Sequence, residues 1–107
     1  MNIAQFREIA LSFPDSEEHP HFDNTAFKVK KKIFVTLNEK HNRVCVKLTE
    51  IDQSAFCSYD ADVMYPVPNK WGKQGWTLIN LATVPDEMLK DAVETAYNTV
   101  KENRKKK

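Results

Sequence analysis

The sequence predicts an α+β fold with an antiparallel sheet, because the spacing of its apolar residues changes twice along the chain. Near the start, apolar residues recur every three or four positions, as in an amphipathic helix. Between about residues 25 and 48 they alternate with polar residues, as in strands with one buried face. After residue 85 the helical spacing returns. The 107 residues fit one domain, 1–107, whose positions 103–107 form a basic tail.

The first helix is predicted over residues 2–12, with Asn2 as its N-cap. Pro14 ends it, because the residue before a proline avoids the α region. Residues 15–23 are acidic and contain Pro20, so we expect a loop that leads into a short edge strand.

Three antiparallel strands are predicted next, joined by turns at residues 30–32 and 38–42. Both turns lack glycine, so Asn38 and Asn42 are the residues best suited to a left-handed conformation. The alternation predicts a set of core-facing residues: Phe27, Val29, Ile33, Val35, Val44, Val46 and Leu48.

The second half of the chain contains two further predicted helices and one strand. Thr49, followed by Asp52, is typical of an N-cap, and the helix is expected to end near Ser58. Residues 60–70 are predicted to form a loop, with or without a short extended piece, and residues 75–81 a strand. The last helix is expected from residue 85 or 86 to about residue 102, before a solvated tail.

Composition excludes several classes of protein. The two glycines, Gly72 and Gly75, are too few for a glycine-rich phosphate loop. The two cysteines form neither a disulfide framework nor a CxxC pair, and the first apolar stretch contains charged residues unlike a signal peptide. We therefore expect a cytoplasmic monomer with reduced thiols and no membrane partner.

Charge is unevenly distributed although the net charge is only +1. Residues 24–48 hold seven Lys and Arg residues against Glu39, a formal charge of +6. The strand alternation predicts that the outward face carries Lys28, Lys30, Lys32, Arg43 and Lys47, with Phe34 beside them. Such a face suits nucleic-acid phosphates and bases, but it is also typical of a solvated sheet protected against aggregation.

The segment 69–76 is the most distinctive stretch, because two tryptophans are separated by the only two glycines. We expect one tryptophan in the core and the other at the surface, where it could stack on a base or ligand; alternatively, both are structural. The candidate ligand-loop residues are Tyr65, Lys70, Trp71 and Trp76.

Metal and catalytic sites are not predicted. His19 and His21 would share a face of an extended segment, but no third ligand stands at a diagnostic spacing. No serine lies on a strand-to-helix elbow, and neither cysteine has an identifiable base. We therefore expect no catalytic residue, no metal and no cofactor.

An ordered set of landmarks resembles the MmcQ/YjbR family over nearly the whole chain. The set comprises Phe13-Pro14, Phe27-Lys28-Val29, Lys32-Ile33-Phe34-Val35, Val44 to Leu48, Tyr65-Pro66, Asn69 to Trp76, and Pro85 to Tyr97. The resemblance implies a fold akin to the CyaY/frataxin topology, with an antiparallel sheet and helices on one face. It also implies DNA-binding-like behaviour, a description that rests on two hairpins likened to a double wing.

Within that resemblance, residues 27–34 would form the first wing, and residues 36–43, with Lys40 and Arg43, the second. Family members often have a glycine in the first hairpin turn, where this chain has Lys31, so the tight turn is in question. Frataxins carry an acidic ridge on the first helix. That helix has only Glu8 here, which disfavours iron binding.

Two hypotheses follow from the sequence. The first is a non-enzymatic DNA-binding-like protein whose phosphate contacts are Lys28, Lys30, Lys31, Lys32, Arg43 and Lys47, with Trp71 or Phe34 stacking. The second is a small-molecule-binding or protein-binding module that uses the loop of residues 65–76.

Overall fold

The computed structural model describes residues 2–102, which form four α-helices and six β-strands. In chain order they are α1 (Ile3–Leu11), β1 (Ser16–His21), β2 (Asn24–Val29), β3 (Lys32–Asn38), β4 (Arg43–Lys47), α2 (Glu50–Cys57), β5 (Met64–Pro66), α3 (Lys70–Lys73), β6 (Trp76–Asn80) and α4 (Asp86–Glu102). The strands make one antiparallel sheet in the order β1-β2-β3-β4-β6-β5. The predicted α+β class is confirmed. The basic tail, 103–107, lies outside the described residues.

Capping residues set the helix boundaries as predicted. The Asn2 side chain accepts a hydrogen bond from the Gln5 N–H, and the Gln5 side chain accepts one from the Asn2 N–H. Thr49 Oγ1 accepts from the Asp52 N–H at 3.1 Å. Such reciprocal and single caps satisfy N–H groups that the first helical turn leaves unpaired.

No helix in residues 2–102 is long and apolar enough to cross a bilayer.

One face of the sheet, the covered face, packs against α1 and α4. Phe6 of α1 meets Phe27 edge-on, with ring centroids 5.6 Å apart. Tyr97 of α4 lies against both Phe13 and Phe34, at 4.8 and 5.4 Å. The Tyr97 hydroxyl donates to the Pro14 carbonyl at 2.6 Å, so the end of α1 and the last helix are joined.

A β-bulge in β3 corrects the predicted strand phase. Phe27 pairs with Val35 and Lys28 pairs with Ile33, so Phe34 is an extra residue between them. Phe34 is therefore fully buried among the core aromatics, although the sequence placed it beside the lysines. Ile33, predicted in the core, lies on the opposite face instead.

The hairpin turns use left-handed backbone without glycine. Lys30 and Lys31 have φ of 52° and 70°, which makes the β2–β3 connection a two-residue turn of the primed type. The tight turn thus forms despite the missing glycine. Asn42 has φ of 52° as predicted, whereas Asn38 uses its side chain to accept from the His41 N–H. Phe22, in the β1–β2 turn, also has a positive φ, 58°.

Both outer strands of the sheet contain a proline, Pro20 in β1 and Pro66 in β5. The edge strand expected to follow a loop at residues 15–23 is present as β1, but it begins at Ser16 and occupies most of the expected loop. The short extended piece allowed within residues 60–70 is present as β5, whereas α3, a single helical turn that Asn69 caps, was not predicted. Three residues of strand and four of helix are too short for a periodic sequence signal.

Candidate functional site

The second face of the sheet, the open face, has half-buried and mixed side chains in place of a covering helix. Register places a row of residues straight across its middle, because paired positions point to the same side. The row consists of His19, Ala26, Thr36, Cys45, Leu78 and Tyr65. The open face therefore offers a surface on which small, polar and aromatic groups meet.

A groove of about 470 Å³ crosses this face, and we call it the sheet groove. It is lined by His21, Asn24, Ile33, Thr36, Cys45, Val67, Trp71 and Trp76. Trp71 is 50% exposed and Trp76 is half-buried, so neither tryptophan belongs to the core, contrary to the expectation for one of them. The apolar part of the groove is the end formed by these two indoles, Val67 and Ile33.

The two glycines allow the loop that carries Trp71 and Trp76, which we call the groove wall, to approach neighbouring backbone closely. A Cβ on Gly72 would lie 2.0 Å from the Val67 carbonyl oxygen, and a Cβ on Gly75 would lie 1.8 Å from that of Leu48. Gly75 also has φ of +104°, a conformation that side chains disfavour. Both positions therefore require glycine, because the backbone of the loop approaches its neighbours too closely for any side chain.

Hydrogen bonds from α2 and β4 fix the same loop. The Gln53 side-chain amide lies within hydrogen-bond distance of the Gly72 carbonyl at 2.9 Å and of the Trp76 carbonyl at 3.1 Å. The Leu48 N–H donates to the Gly75 carbonyl at 3.0 Å. The Lys47 ammonium donates to the Gln74 carbonyl. The groove wall is thus tied to the sheet through backbone carbonyls and does not depend on tryptophan packing alone.

A smaller, more polar hollow of about 80 Å³ adjoins the sheet groove. The two share Asn24, Thr36 and Cys45, and the hollow adds Asn38 and Arg43. The Arg43 side chain makes no hydrogen bond or ion pair with another residue in the described range 2–102. The linings of the groove and the hollow together therefore have an aromatic end and an amide-rich end that carries one guanidinium.

Cys45 lies at the junction of the groove and the hollow, and its thiol is not activated. Burial raises the pKa of Cys45 to about 12, against the smaller lowering effects of a Thr77 backbone hydrogen bond and the Arg43 charge. His21 lies on β1, three strand spacings from β4, or about 14 Å. Cys45 and His21 are thus too far apart to form a nucleophile–base pair.

The structure separates the six cations that the sequence grouped together. Register places Lys28 and Arg43 on the open face, near opposite ends of the strands. Lys30 and Lys31 form the exposed turn.

The other two predicted cations are positioned differently. Lys32 pairs with Val29, a core residue, so it does not share the face of Lys28. Lys47 bonds the loop backbone, and burial lowers its pKa. The sequence predicted that Lys30 and Lys32 share the outward face with Lys28. That prediction is wrong, because Lys32 lies on the opposite face and Lys30 lies in the turn.

Two of the four predicted ligand-loop residues line the sheet groove. Trp71 and Trp76 both line the sheet groove, Tyr65 lies on the open face at its outer strand, and Lys70 is exposed at the start of α3. The sequence analysis missed His21, Asn24, Ile33, Thr36, Cys45 and Val67. Thr36 and Cys45 occupied the outward positions of predicted strands, so their place could have been read from the alternation. Ile33 could not, because the bulge reversed its face.

The histidine pair of β1 is engaged locally. The His19 ring lies 3.0 Å from the Glu17 carboxylate, whereas His21 contacts the Phe22 ring edge-on. Within the described part of the chain, no three His, Cys, Asp or Glu side chains come together as a metal site would require.

Comparison with known proteins identifies the family. A model of the YjbR family matches residues 11–99. This chain belongs to the YjbR family. The MmcQ/YjbR resemblance drawn from the landmarks is therefore confirmed. No curated protein matches this YjbR chain.

Two solved structures share the fold of this YjbR chain. The crystal structure of the Deinococcus radiodurans protein DR2400, with family-model domain DUF419, has a TM-score of 0.83 and 20% identity, covering 98% of this chain and 83% of that one. A Pseudomonas syringae protein has a TM-score of 0.72 and 15% identity, covering 94% and 99%. At such identities the likeness establishes the fold alone.

Proposed function

We propose that this YjbR chain is a non-enzymatic binding module that takes a small molecule into the sheet groove. The observation that carries the proposal is the groove itself, about 470 Å³ with four apolar side chains at one end. Ligand sites are typically concavities of about 300–1,000 Å³ with an apolar lining and a few polar groups. The groove matches that description in size and in chemistry.

The exposure of Trp71 supports a ligand at the groove. An indole that is 50% exposed leaves a large apolar surface in water, although a short capped helix and Gly72 fix its backbone position. A rigidly placed aromatic surface is pre-organised for stacking, because little conformational freedom remains to be lost on binding.

The proposal of binding without catalysis rests on the groups around the groove. The one thiol that lines it, on the half-buried Cys45, has a pKa raised by burial to about 12, and His21 lies three strands away in the sheet. Nucleophilic catalysis needs a nucleophile, a base and their mutual contact. The groove lining brings no such pair together.

Tryptophan fluorescence tests the proposal directly, because both tryptophans line the groove. A panel of small aromatic and aliphatic metabolites is titrated against the whole chain while indole emission is recorded. We expect saturable changes with at least one class, and loss of most of the affinity in Trp71→Ala. Tyr59→Ala is the matched control, since Tyr59 is 52% exposed but does not line the groove. Emission that no compound changes would overturn the proposal.

Nucleic acid is a second candidate, favoured by the lysines of the β2–β3 hairpin. Lys30, Lys31 and Lys32 are exposed at its end, and Lys28 lies on the open face that also carries the tryptophans. A projecting basic hairpin can contact phosphates, and an exposed indole can stack on a base. The dispersal of the other cations makes this candidate weaker than the groove ligand.

Fluorescence anisotropy with labelled single-stranded and double-stranded DNA, at low and physiological salt, separates the two candidates. If the hairpin binds phosphates, affinity falls with salt, with a slope of about 0.9 for each phosphate neutralised. The double variant Lys30→Gln, Lys31→Gln should then weaken binding, while Lys90→Gln on the exposed side of α4 should not. Absence of binding at low salt would remove nucleic acid as the ligand.

A further inference from the structure

The geometry points to an amphipathic organic anion as the ligand of the sheet groove, with its apolar body against the tryptophans and its anionic group at Arg43. This inference rests on the proposed binding function and names the ligand class. It is carried by the two adjoining hollows, which differ in chemistry but share their lining at Asn24, Thr36 and Cys45.

The aromatic end sets the first requirement. Trp71, Trp76, Val67 and Ile33 contribute apolar surface, and the groove volume of about 470 Å³ is large enough for a ring or a short alkyl chain. A wholly polar ligand would gain nothing there, because it would lose hydration without replacing its hydrogen bonds.

The other end sets the second requirement through its donors. The Arg43 guanidinium has no hydrogen bond or ion pair within residues 2–102, so its donors are available. Asn38 uses its carboxamide oxygen to accept from the His41 N–H, which leaves its NH₂ group as a donor. A guanidinium fork matches two oxygens of a carboxylate, phosphate or sulfonate.

Asn24, at the junction, supplies an independent sign of an unfilled polar site. Its side-chain oxygen is buried and has no hydrogen-bond partner, although the residue lines both hollows. Buried polar atoms are nearly always paired, and an exception needs an explanation. Because an amide oxygen accepts hydrogen bonds, a ligand lying across the junction would satisfy it with an N–H or O–H group between its apolar body and its anionic group.

The surrounding charges favour an anion over a cation. Neither hollow has a carboxylate in its lining. Of the carboxylates on neighbouring strands and turns, Glu17 contacts His19 and Glu39 contacts Arg7, while Asp23 is exposed in the β1–β2 turn and lines neither hollow. Arg43 is therefore the formal charge that a ligand in the hollow would meet.

The spacing of the two ends gives the size of the ligand. Arg43 pairs with Asn80, and Lys47 pairs with Trp76, so Arg43 and Trp76 are four residues apart along neighbouring strands. At about 3.3 Å per residue this separation is about 13 Å. Trp76 lines the groove and Arg43 lines the adjoining hollow, so a fused two-ring body or a medium alkyl chain with one terminal acid fits the span.

A matched pair of fluorescent probes tests the inference. The anion 1-anilinonaphthalene-8-sulfonate and the uncharged N-phenyl-1-naphthylamine share the same rings, and energy transfer from Trp71 and Trp76 reports binding at the groove. We expect the anion to bind at least about tenfold more tightly, the gain typical of a charge-assisted hydrogen bond. Arg43→Gln should abolish that difference without changing the affinity for the uncharged probe.

Two further variants keep the test decisive. Lys40→Gln removes one positive charge from the exposed β3–β4 turn and should leave both affinities unchanged, which separates local contact from net charge. Arg43→Lys keeps the charge without the planar fork, and it should retain part of the preference if Arg43→Gln fails to fold.

The outcomes distinguish this inference from the function on which it rests. Equal affinity for both probes, or an equal loss in Arg43→Gln and Lys40→Gln, would overturn the anion while leaving groove binding intact. If neither probe accepts energy from the tryptophans, and the metabolite titration is also negative, groove binding itself fails.

Discussion

The two faces of the sheet use the same strands for different purposes. On the covered face, alternate residues of β2, β3 and β4 are fully buried against α1 and α4. On the open face, the residues between them are mostly half-buried, and polar groups such as Thr36 lie beside indoles. Adjacent positions in one strand therefore have different roles. Substitutions on the covered face should mainly change the free energy of unfolding, and substitutions on the open face should mainly change ligand binding.

The largest expected effect tests this division at the bulge of β3. Phe34→Ala should lower the free energy of unfolding by about 3–5 kcal/mol, because it leaves a cavity among Phe13 and Tyr97. Ile33→Ala, one residue earlier, should lower it by about 1 kcal/mol and weaken groove binding instead. Urea denaturation measures both values. Similar losses for the two variants would show that the faces are not separate in energy.

A second substitution tests the close approach of the groove wall to the backbone of Leu48. Gly75→Ala should destabilise by roughly 2–3 kcal/mol, since the added Cβ would meet the Leu48 carbonyl and the backbone has a positive φ. Gln74→Ala is the control, because Lys47 bonds only the backbone carbonyl of Gln74. Thermal and urea unfolding should show the loss in the glycine variant alone. An unchanged Gly75→Ala protein would contradict the close approach.

The free energy of unfolding should depend on pH through Cys45, whereas its core neighbours Val44 and Val46 have no group that titrates. Its pKa is raised from 9.0 to about 12, so above pH 9 the unfolded chain loses a proton that the folded chain keeps. That contribution to stability is complete below pH 9 and is lost as pH rises toward 12. Between pH 8 and 10 the loss should be roughly 1 kcal/mol.

Cys45→Ala isolates this effect from other titrating groups. Burial lowers the pKa of Lys47, which acts in the opposite direction, because the folded chain then releases a proton before the unfolded one. The difference in free energy of unfolding between the wild type and Cys45→Ala, measured by urea denaturation at each pH, should become smaller as pH rises. A constant difference would mean that the thiol titrates normally in the fold.

The smallest expected effect is a gain in stability at the end of the β2–β3 hairpin. Lys31→Gly should stabilise by about 1 kcal/mol, because φ of 70° is strained for lysine and not for glycine. Lys32→Gly, next to it but in a strand, should destabilise by roughly 0.5–1 kcal/mol. Denaturation gives the signs, and DNA anisotropy on the same proteins shows whether Lys31 has a compensating use. A loss of stability in Lys31→Gly would contradict the primed turn.

The sequence predicted the covered face more completely than the open one. Period and caps located α1, α2, α4 and four of the strands, because burial imposes a regular pattern on those segments. The bulge at Phe34 left no signal, since both Ile33 and Phe34 are apolar and either could face the core. The groove needs side chains from β1, β2, β3, β4, β6 and the loop before β6, and such a meeting of distant residues depends on strand order.

The prolines in the two outer strands have a consequence for how the molecule meets other chains. Val67 donates its N–H inward to Trp76, so in the antiparallel alternation the neighbouring Pro66 position points outward, where proline offers no donor. Pro20 removes a donor from the opposite outer strand. Neither border of the sheet presents an uninterrupted ladder for another strand to extend. Addition of a strand from another chain is thereby disfavoured at both borders of the sheet.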